Sequence, residues 1–312
     1  MDARGRSAWQ RGRGTAFAAA LVALVLAVPA AVPNAVGRLG SLVETFLPWL
    51  GLAVPVLAAL SLLRRARTAL LALLLPMGVW LGQFGVLLLP GQGTAHDIVA
   101  VQHNVSDVNT DPQATARALT RARPDLIALE EVTESTRPVY EATLAGDYPH
   151  HAVAGTVALW STFPLTEARP VDIKPAGIGS GWNRGLRATM RTPHGEIAVY
   201  VAHLPSVRLG VTGLGSAWRD ESARLLGAAI AAEQVDRVIL LGDLNSTVDD
   251  RGLRPVSSQM NPTGPGFAFS WPAGFPIARI DQIMTRSATV SRVASLPATG
   301  SDHLPIVARI RL

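Results

Sequence analysis

The sequence contains no cysteine among its 312 residues. Disulfides and thiolate metal sites are therefore excluded, and the chemistry left to the chain is that of oxygen and nitrogen ligands. Lysine is nearly absent too. Lys174 is the only one, so positive charge is carried by arginine. No segment repeats at a fixed period. Charge of either sign is missing from three long stretches, residues 14–37, 45–63 and 68–95. These gaps divide the chain into two regions of different chemistry.

At ~1.5 Å rise per residue, each uncharged stretch is long enough to cross a hydrocarbon core of ~30 Å. A cleaved signal peptide accounts for the first stretch but not for the two that follow, and no small-x-small cleavage site opens into a soluble segment. The reading is a three-helix transmembrane anchor over residues 1–95, with helices at 15–36, 44–63 and 68–89. The arginines orient it. Arg4, Arg6, Arg11 and Arg13 precede the first span, and Arg64, Arg65 and Arg67 join the second to the third. The first link holds only Arg38, with Glu44 close by. Basic segments stay cytoplasmic. The expectation is a multi-pass protein of the cell membrane with a cytoplasmic N-terminus and residues 96–312 outside.

The net charge of +5 suggests a nucleic-acid partner only until it is divided by region. Residues 1–90 hold eight arginines against Asp2 and Glu44, a balance of +6, and the remainder holds 20 basic and 21 acidic residues, a balance of −1. Binding along a phosphate backbone draws on local basic excess, so nucleic acid is an unlikely partner.

Residues 96–312 suffice for one α/β domain. Strands are expected at 97–104, 126–131, 152–161, 185–192, 196–203, 237–243, 278–284 and 305–312. Asp111-Pro112 caps a helix running to Arg123. A second helix is expected over 134–145 and a third over 216–233, where Trp218, Leu225, Leu226 and Ile230 recur at helical spacing. Residues 176–182 form a glycine-rich loop. Alternating strands and helices with hairpin-like pairs suggest two packed sheets with helices outside.

Four apolar runs end in polar groups: Asn104 after 99–103, Glu130-Glu131 after 126–129, Gly242-Asp243-Leu244-Asn245 after 238–241, and Ser301-Asp302-His303 just ahead of the last run. The last is read as a buried carboxylate and imidazole side by side. Such ligands suit Mg²⁺ or Mn²⁺ better than zinc. A metal of this kind polarises a phosphoryl oxygen, and hydrolysis also needs a base for water and donors for the non-bridging oxygens. His96, His103, His150, His151 and His194 lack such a setting and are read as surface or linker residues.

With Arg184, His203 in Ala202-His203-Leu204, and Ile280-Asp281, these segments stand in the order found in the endonuclease/exonuclease/phosphatase superfamily, which includes DNase I and the neutral sphingomyelinases. The region from 97 to 312 resembles it throughout. The resemblance implies a four-layer α/β sandwich and a metal-dependent hydrolase of phosphate ester or pyrophosphate bonds. Carried over residue by residue, it implies metal binding by Glu131 with Asn104 and Asp302, and orientation or deprotonation of water by Asp243. Asn245, His203, His303 and Arg184 would bind the phosphate, one of the two histidines would protonate the leaving group, and Asp281 would fix the tautomer of His303. Glu130 stands where the family often has glutamine, and Ser106 where some relatives have aspartate. Three spans ahead of an external phosphoesterase domain also resemble the teicoplanin-resistance membrane phosphoesterases of actinomycetes. That likeness implies the bilayer as partner and a lipid-linked phosphate, such as a polyprenyl pyrophosphate, as substrate. An extracellular nuclease and a non-catalytic membrane sensor or scaffold are the alternatives.

Overall fold

The computed structural model describes residues 12–90, 95–261 and 264–312, and the chain divides into two compact units, Met1–Leu89 and Pro90–Leu312. The basic tail at Arg4, Arg6 and Arg11 lies outside the described residues. The first unit is helical: α1 (Arg13–Ala27), α2 (Leu39–Thr45), α3 (Ala53–Leu63), α4 (Arg67–Ala72) and α5 (Leu74–Phe84). The helical run Arg67–Leu88 is long and apolar enough to cross a membrane. The other two expected spans are interrupted. The expected helix at 15–36 stops at Ala27, ahead of Pro29 and Pro33, and its 15 residues reach only ~22 Å. The expected helix at 44–63 is broken near Pro48, where Leu39–Thr45 and Leu47–Leu63 meet at 73°. Proline removes a backbone donor and clashes with the preceding turn, an effect that counting charges overlooks.

The second unit is α/β, with two packed mixed sheets. In chain order it contains β1 (Ile98–Asn104), α6 (Pro112–Thr120), β2 (Leu126–Glu130), α7 (Arg137–Leu144), β3 (His150–Ala154), β4 (Val157–Ser161), β5 (Leu165–Pro170), β6 (Gly185–Thr192), β7 (Gly195–Ala202), β8 (Arg208–Gly210), β9 (Gly213–Gly215), α8 (Ala217–Ala231), β10 (Val238–Asp243), α9 (Arg254–Ser257), β11 (Asp281–Arg286), β12 (Thr289–Ser295) and β13 (Ile306–Arg311). One sheet runs β12-β13-β1-β2-β4-β3 and the other β11-β10-β7-β6-β5. Among the described residues, parallel pairing is confined to β1 with β2 and β7 with β10.

Strand periodicity builds the layers. Ile98 and Ala100 of β1 face inward and pack with Val199 and Ile239 of the other sheet. Val101 faces outward, against Leu119 of α6 and Tyr140 of α7. Tyr200 and Leu240 face outward from the second sheet, against Leu226 and Ile230 of α8. The order of layers is thus helix, sheet, sheet, helix. Trp218, expected on the buried face of α8, is exposed. The strand expected at 152–161 is a hairpin folded at Gly155, whose φ is +59° and where a Cβ would meet the Asn183 carbonyl oxygen. Strands β5 and β12, and the β8–β9 ribbon, were not expected from the sequence pattern.

Candidate active site

Six polar side chains meet where the two parallel strand pairs end. Asn104 closes β1, and in the β1–β2 register it lies opposite Glu130, next to Glu131. Asp243 closes β10 and pairs with Asp281, the first residue of β11. His203 follows β7, the parallel neighbour of β10. His303 lies just ahead of β13, which pairs with β1. The close approach of β10 to β7 requires Gly242, where any Cβ would overlap the Ala202 carbonyl oxygen. Three non-glycine residues at this pole are left-handed: Ser106 (φ 63°), Glu131 (φ 62°) and Asn245 (φ 46°). Such a backbone is held in place only by its surroundings.

The contacts form one network. The Asn104 amide donates to Asp243 Oδ2 at 3.0 Å and to Glu131 Oε1 at 3.3 Å, and its oxygen accepts from the Ser106 N–H at 3.0 Å. The Asp107 N–H donates to Glu131 Oε2 at 3.0 Å. His203 Nε2 lies 3.6 Å from Asp243 Oδ2 and 3.8 Å from Glu131 Oε1. His303 Nε2 lies 3.7 Å from Asp243 Oδ2, while its Nδ1 bonds Asp281 Oδ2 at 2.8 Å. Asp281 Oδ1 accepts from Gln102 at 3.0 Å, so both oxygens of Asp281 are engaged. The Asn245 N–H donates to Asp243 Oδ1 at 2.9 Å, and the Asn245 side chain donates to the Leu204 carbonyl at 2.9 Å. Arg184 lies 3.2 Å from His203 Nδ1 and stacks over Trp182.

Burial and like charge set the protonation states. Burial raises the Asp243 carboxyl to about 7, against the opposing pull of the His303 cation. Burial disfavours charge on His303, but Asp243 and Asp281 overcome it and lift the imidazole to about 10. Asp281 is held below the ordinary carboxylate range because His303 outweighs its burial. His203 is driven well below its usual value by burial, then by Arg184 and His303, and is neutral. Glu130 is pushed far upward by burial, Asp281 and Asp243. The site therefore offers a carboxyl titrating near neutrality, an imidazolium fixed by a second carboxylate, and a neutral imidazole.

Asp302 departs from the expectation. It is exposed, and the buried carboxylate beside His303 is Asp281, which arrives from another strand. Three oriented residues went unnoticed in the sequence. Gln102 is fully buried and joins Glu130 to Asp281 at 2.7 and 3.0 Å. His103, expected at the surface, is fully buried and bonds Thr299 at 2.7 Å. Arg219 is buried between Asp220 and Asp250 and donates to the Asn245 carbonyl at 3.1 Å, fixing the left-handed turn after Asp243.

Asp243, Asp281 and His303 each bring one ligand atom within 4.8 Å of the others. Because Asp281 is committed to Gln102 and His303, the carboxylate oxygens best placed for a cation are those of Glu131 and Asp243, bridged by the Asn104 amide. This donor set of carboxylates and carboxamide without sulfur fits a hard divalent ion.

The rim is apolar. Val108 is 78% exposed one residue after Asp107, and Phe275 is 74% exposed in a loop whose Ala273 N–H bonds the Asp302 carbonyl. Leu209 and Val211 are exposed on the β8–β9 ribbon, a few residues beyond His203.

The profile of the Endonuclease/Exonuclease/phosphatase family matches residues 93–303. Sphingomyelinase C from Streptomyces griseocarneus is similar in structure, with 17% identity, coverage of 68% of this chain and 98% of that one, and a TM-score of 0.51. A beta toxin variant from Staphylococcus aureus, solved with bound magnesium ions, has 16% identity, coverage of 68% and 99%, and a TM-score of 0.53. An endonuclease/exonuclease/phosphatase from Beutenbergia cavernae has 19% identity, coverage of 70% and 72%, and a TM-score of 0.56. At these identities the likeness is one of fold. No curated protein matches the chain.

Proposed function

This chain belongs to the endonuclease/exonuclease/phosphatase family, whose members hydrolyse phosphoester bonds, and from that premise we propose that it is a membrane-anchored, divalent-metal-dependent hydrolase of a lipid-linked phosphate or pyrophosphate. The observation that carries the hydrolytic part is the convergence of Asn104, His203 and His303 on Asp243 Oδ2, with Glu131 joined to it through the Asn104 amide.

Glu131 and Asn104 would hold Mg²⁺ or Mn²⁺, which supplies charge compensation at the phosphoryl and leaving oxygens. Asp243, with a carboxyl near neutrality, takes the proton of the attacking water. The second amide hydrogen of Asn245, neutral His203 and Arg184 donate to the non-bridging oxygens. His303, with Asp281 on Nδ1, presents Nε2–H to the phosphate and protonates the leaving group.

The lipid part is supported by the exposed Val108, Leu209, Val211 and Phe275 and by the run Arg67–Leu88. Seven residues separate that run from His96, so extended-chain reach keeps the start of the domain within roughly 28 Å of it. Such a tether gives bilayer phosphates a high effective concentration. The finer topology we propose is three spans, with α1 and the bent α2–α3 pair as the first two, and a domain outside the cell membrane. The role is in cell-wall lipid metabolism or glycopeptide resistance.

The test is the full chain in detergent, offered polyprenyl pyrophosphates, phospholipids and DNA. The expected result is Mg²⁺- or Mn²⁺-dependent phosphate release from the polyprenyl substrate. Faster release of nucleotides from DNA would overturn the lipid assignment, and unchanged turnover by Asp243→Ala would overturn the hydrolytic one. A reporter fused after Leu312 is expected to work only outside the cytoplasm.

A further inference from the structure

A cavity of about 540 Å³ opens on the outer face of the six-stranded sheet. Its wall includes Val99, near the start of β1, whereas Asn104 stands at the end of that strand. At ~3.3 Å per residue the two lie roughly 17 Å apart along the sheet, so the cavity is separate from the Asp243 cluster.

Four arginines line it. Arg121 and Arg123 come from the end of α6, Arg292 from β12 and Arg309 from β13. Among the described residues none of the four has a carboxylate partner. Cations at a helix C-terminus are ordinary, which accounts for Arg121 and Arg123. The strand pair is different. Arg292 and Arg309 are direct cross-strand neighbours, and like charges so placed destabilise a sheet. Two guanidinium groups opposed over a floor of Val99, Ala294 and Val307 have the fork geometry and the weak hydration suited to a phosphate oxyanion. Residues 91–312 balance at −1, so this concentration of positive charge is local.

We propose that this cavity binds the phosphate group of an anionic phospholipid and holds the flank of the domain to the headgroup layer. The lipid is favoured over a free phosphate because His96, also in the wall, lies only seven residues past the apolar run Arg67–Leu88. That choice rests on reading the run as a membrane span.

The experiment is native mass spectrometry of the full chain in neutral detergent micelles doped with phosphatidylglycerol or phosphatidylcholine, comparing wild type with Arg292→Gln/Arg309→Gln and Arg121→Gln/Arg123→Gln. Melting curves check that each variant is folded. Basic residues of the helical unit are common to all samples, so the difference reads the cavity alone. Wild type is expected to retain phosphatidylglycerol at least fivefold more tightly than the strand-pair variant, with no difference for phosphatidylcholine. Equal retention by folded wild type and both variants would overturn the proposal. Inorganic phosphate displacing the lipid at equal concentration would overturn the lipid assignment and leave a soluble phosphate as ligand. The span reading fails separately, if the full chain stays monodisperse without detergent.

Discussion

Arg187 and Asp243 are both buried charged groups of the same sheet, but their surroundings differ in kind. Arg187 donates to Glu233 through Nε and Nη2 at 3.0 and 3.1 Å, and to Glu167 at 3.0 Å. Glu233 also accepts from the Tyr200 hydroxyl at 2.8 Å and the Val235 N–H at 3.0 Å. Arg187, Glu233 and Tyr200 leave no buried polar atom without a partner. Around Asp243, three buried carboxyl groups, those of Asp243, Asp281 and Glu130, share one imidazolium, and Glu130 Oε1 and Gln102 Oε1 have no partner. The first cluster is complete as folded. The second is left unfinished, with unpartnered buried oxygens and a carboxyl raised to about 7, the arrangement expected of a site that a cation or a substrate completes, at some expense in stability.

The sharpest way to break this contrast is substitution. Asp243→Asn is expected to lower turnover by ~10³-fold, the scale of general base loss, while its melting temperature stays level or rises because buried like charge is relieved. A fall of several degrees would place Asp243 with the structural charges. Glu233→Ala is expected to do the opposite. It leaves the buried guanidinium with the exposed Glu167 as its carboxylate partner and costs about 3 kcal/mol, measured by denaturant unfolding, while turnover per folded molecule is unchanged. Chelation extends the comparison. EDTA is expected to abolish turnover, and returning Mg²⁺ or Mn²⁺ to restore it and to raise the melting temperature, an increase that Glu131→Gln removes. Indifference to EDTA would count against a metal.

The smallest effect is in pH. Burial opposes ionisation of Glu233, but Arg187, Val235 and Tyr200 outweigh it and hold the carboxyl at about 2, against an ordinary 4.5. Its stabilisation is present above pH 4.5 and is lost as pH falls toward 2. Asp243, at about 7 against 3.8, ionises more easily in the unfolded chain. In metal-free protein its contribution therefore weakens stability as pH rises from 3.8 toward 7. Glu233→Gln is expected to flatten the acid limb of a stability–pH curve and Asp243→Asn the limb approaching neutrality. Parallel curves for the variants and wild type would refute these assignments.

Much of this site is visible in the sequence because its residues punctuate apolar runs. Asn104, Glu131, His203 and Asp243 each stand where a hydrophobic strand stops, and a polar residue there needs a reason. Gln102, His103 and Arg219 lack that signal. The first two lie inside β1, a strand covered on both faces, where alternation no longer separates inside from outside. Arg219 lies in an amphipathic helix and reads as solvated until Asp250 appears opposite it. The expectation of a buried Asp302 failed because it stands exposed in a bend ahead of β13, and the carboxylate beside His303 comes from β11. Missing charge marks the three stretches in the sequence, whereas the prolines inside the first two interrupt their helices.

Strand β13 lies between β12 and β1 and contributes Ile306 through Ile310 to register with Gln102 through Ile98. Its partner on β1 is synthesised more than two hundred residues earlier. Until β13 arrives, β1 has an open edge, and such an edge invites pairing with foreign strands. Folding of this domain thus includes an interval in which the sheet is half built and the β1 edge is open.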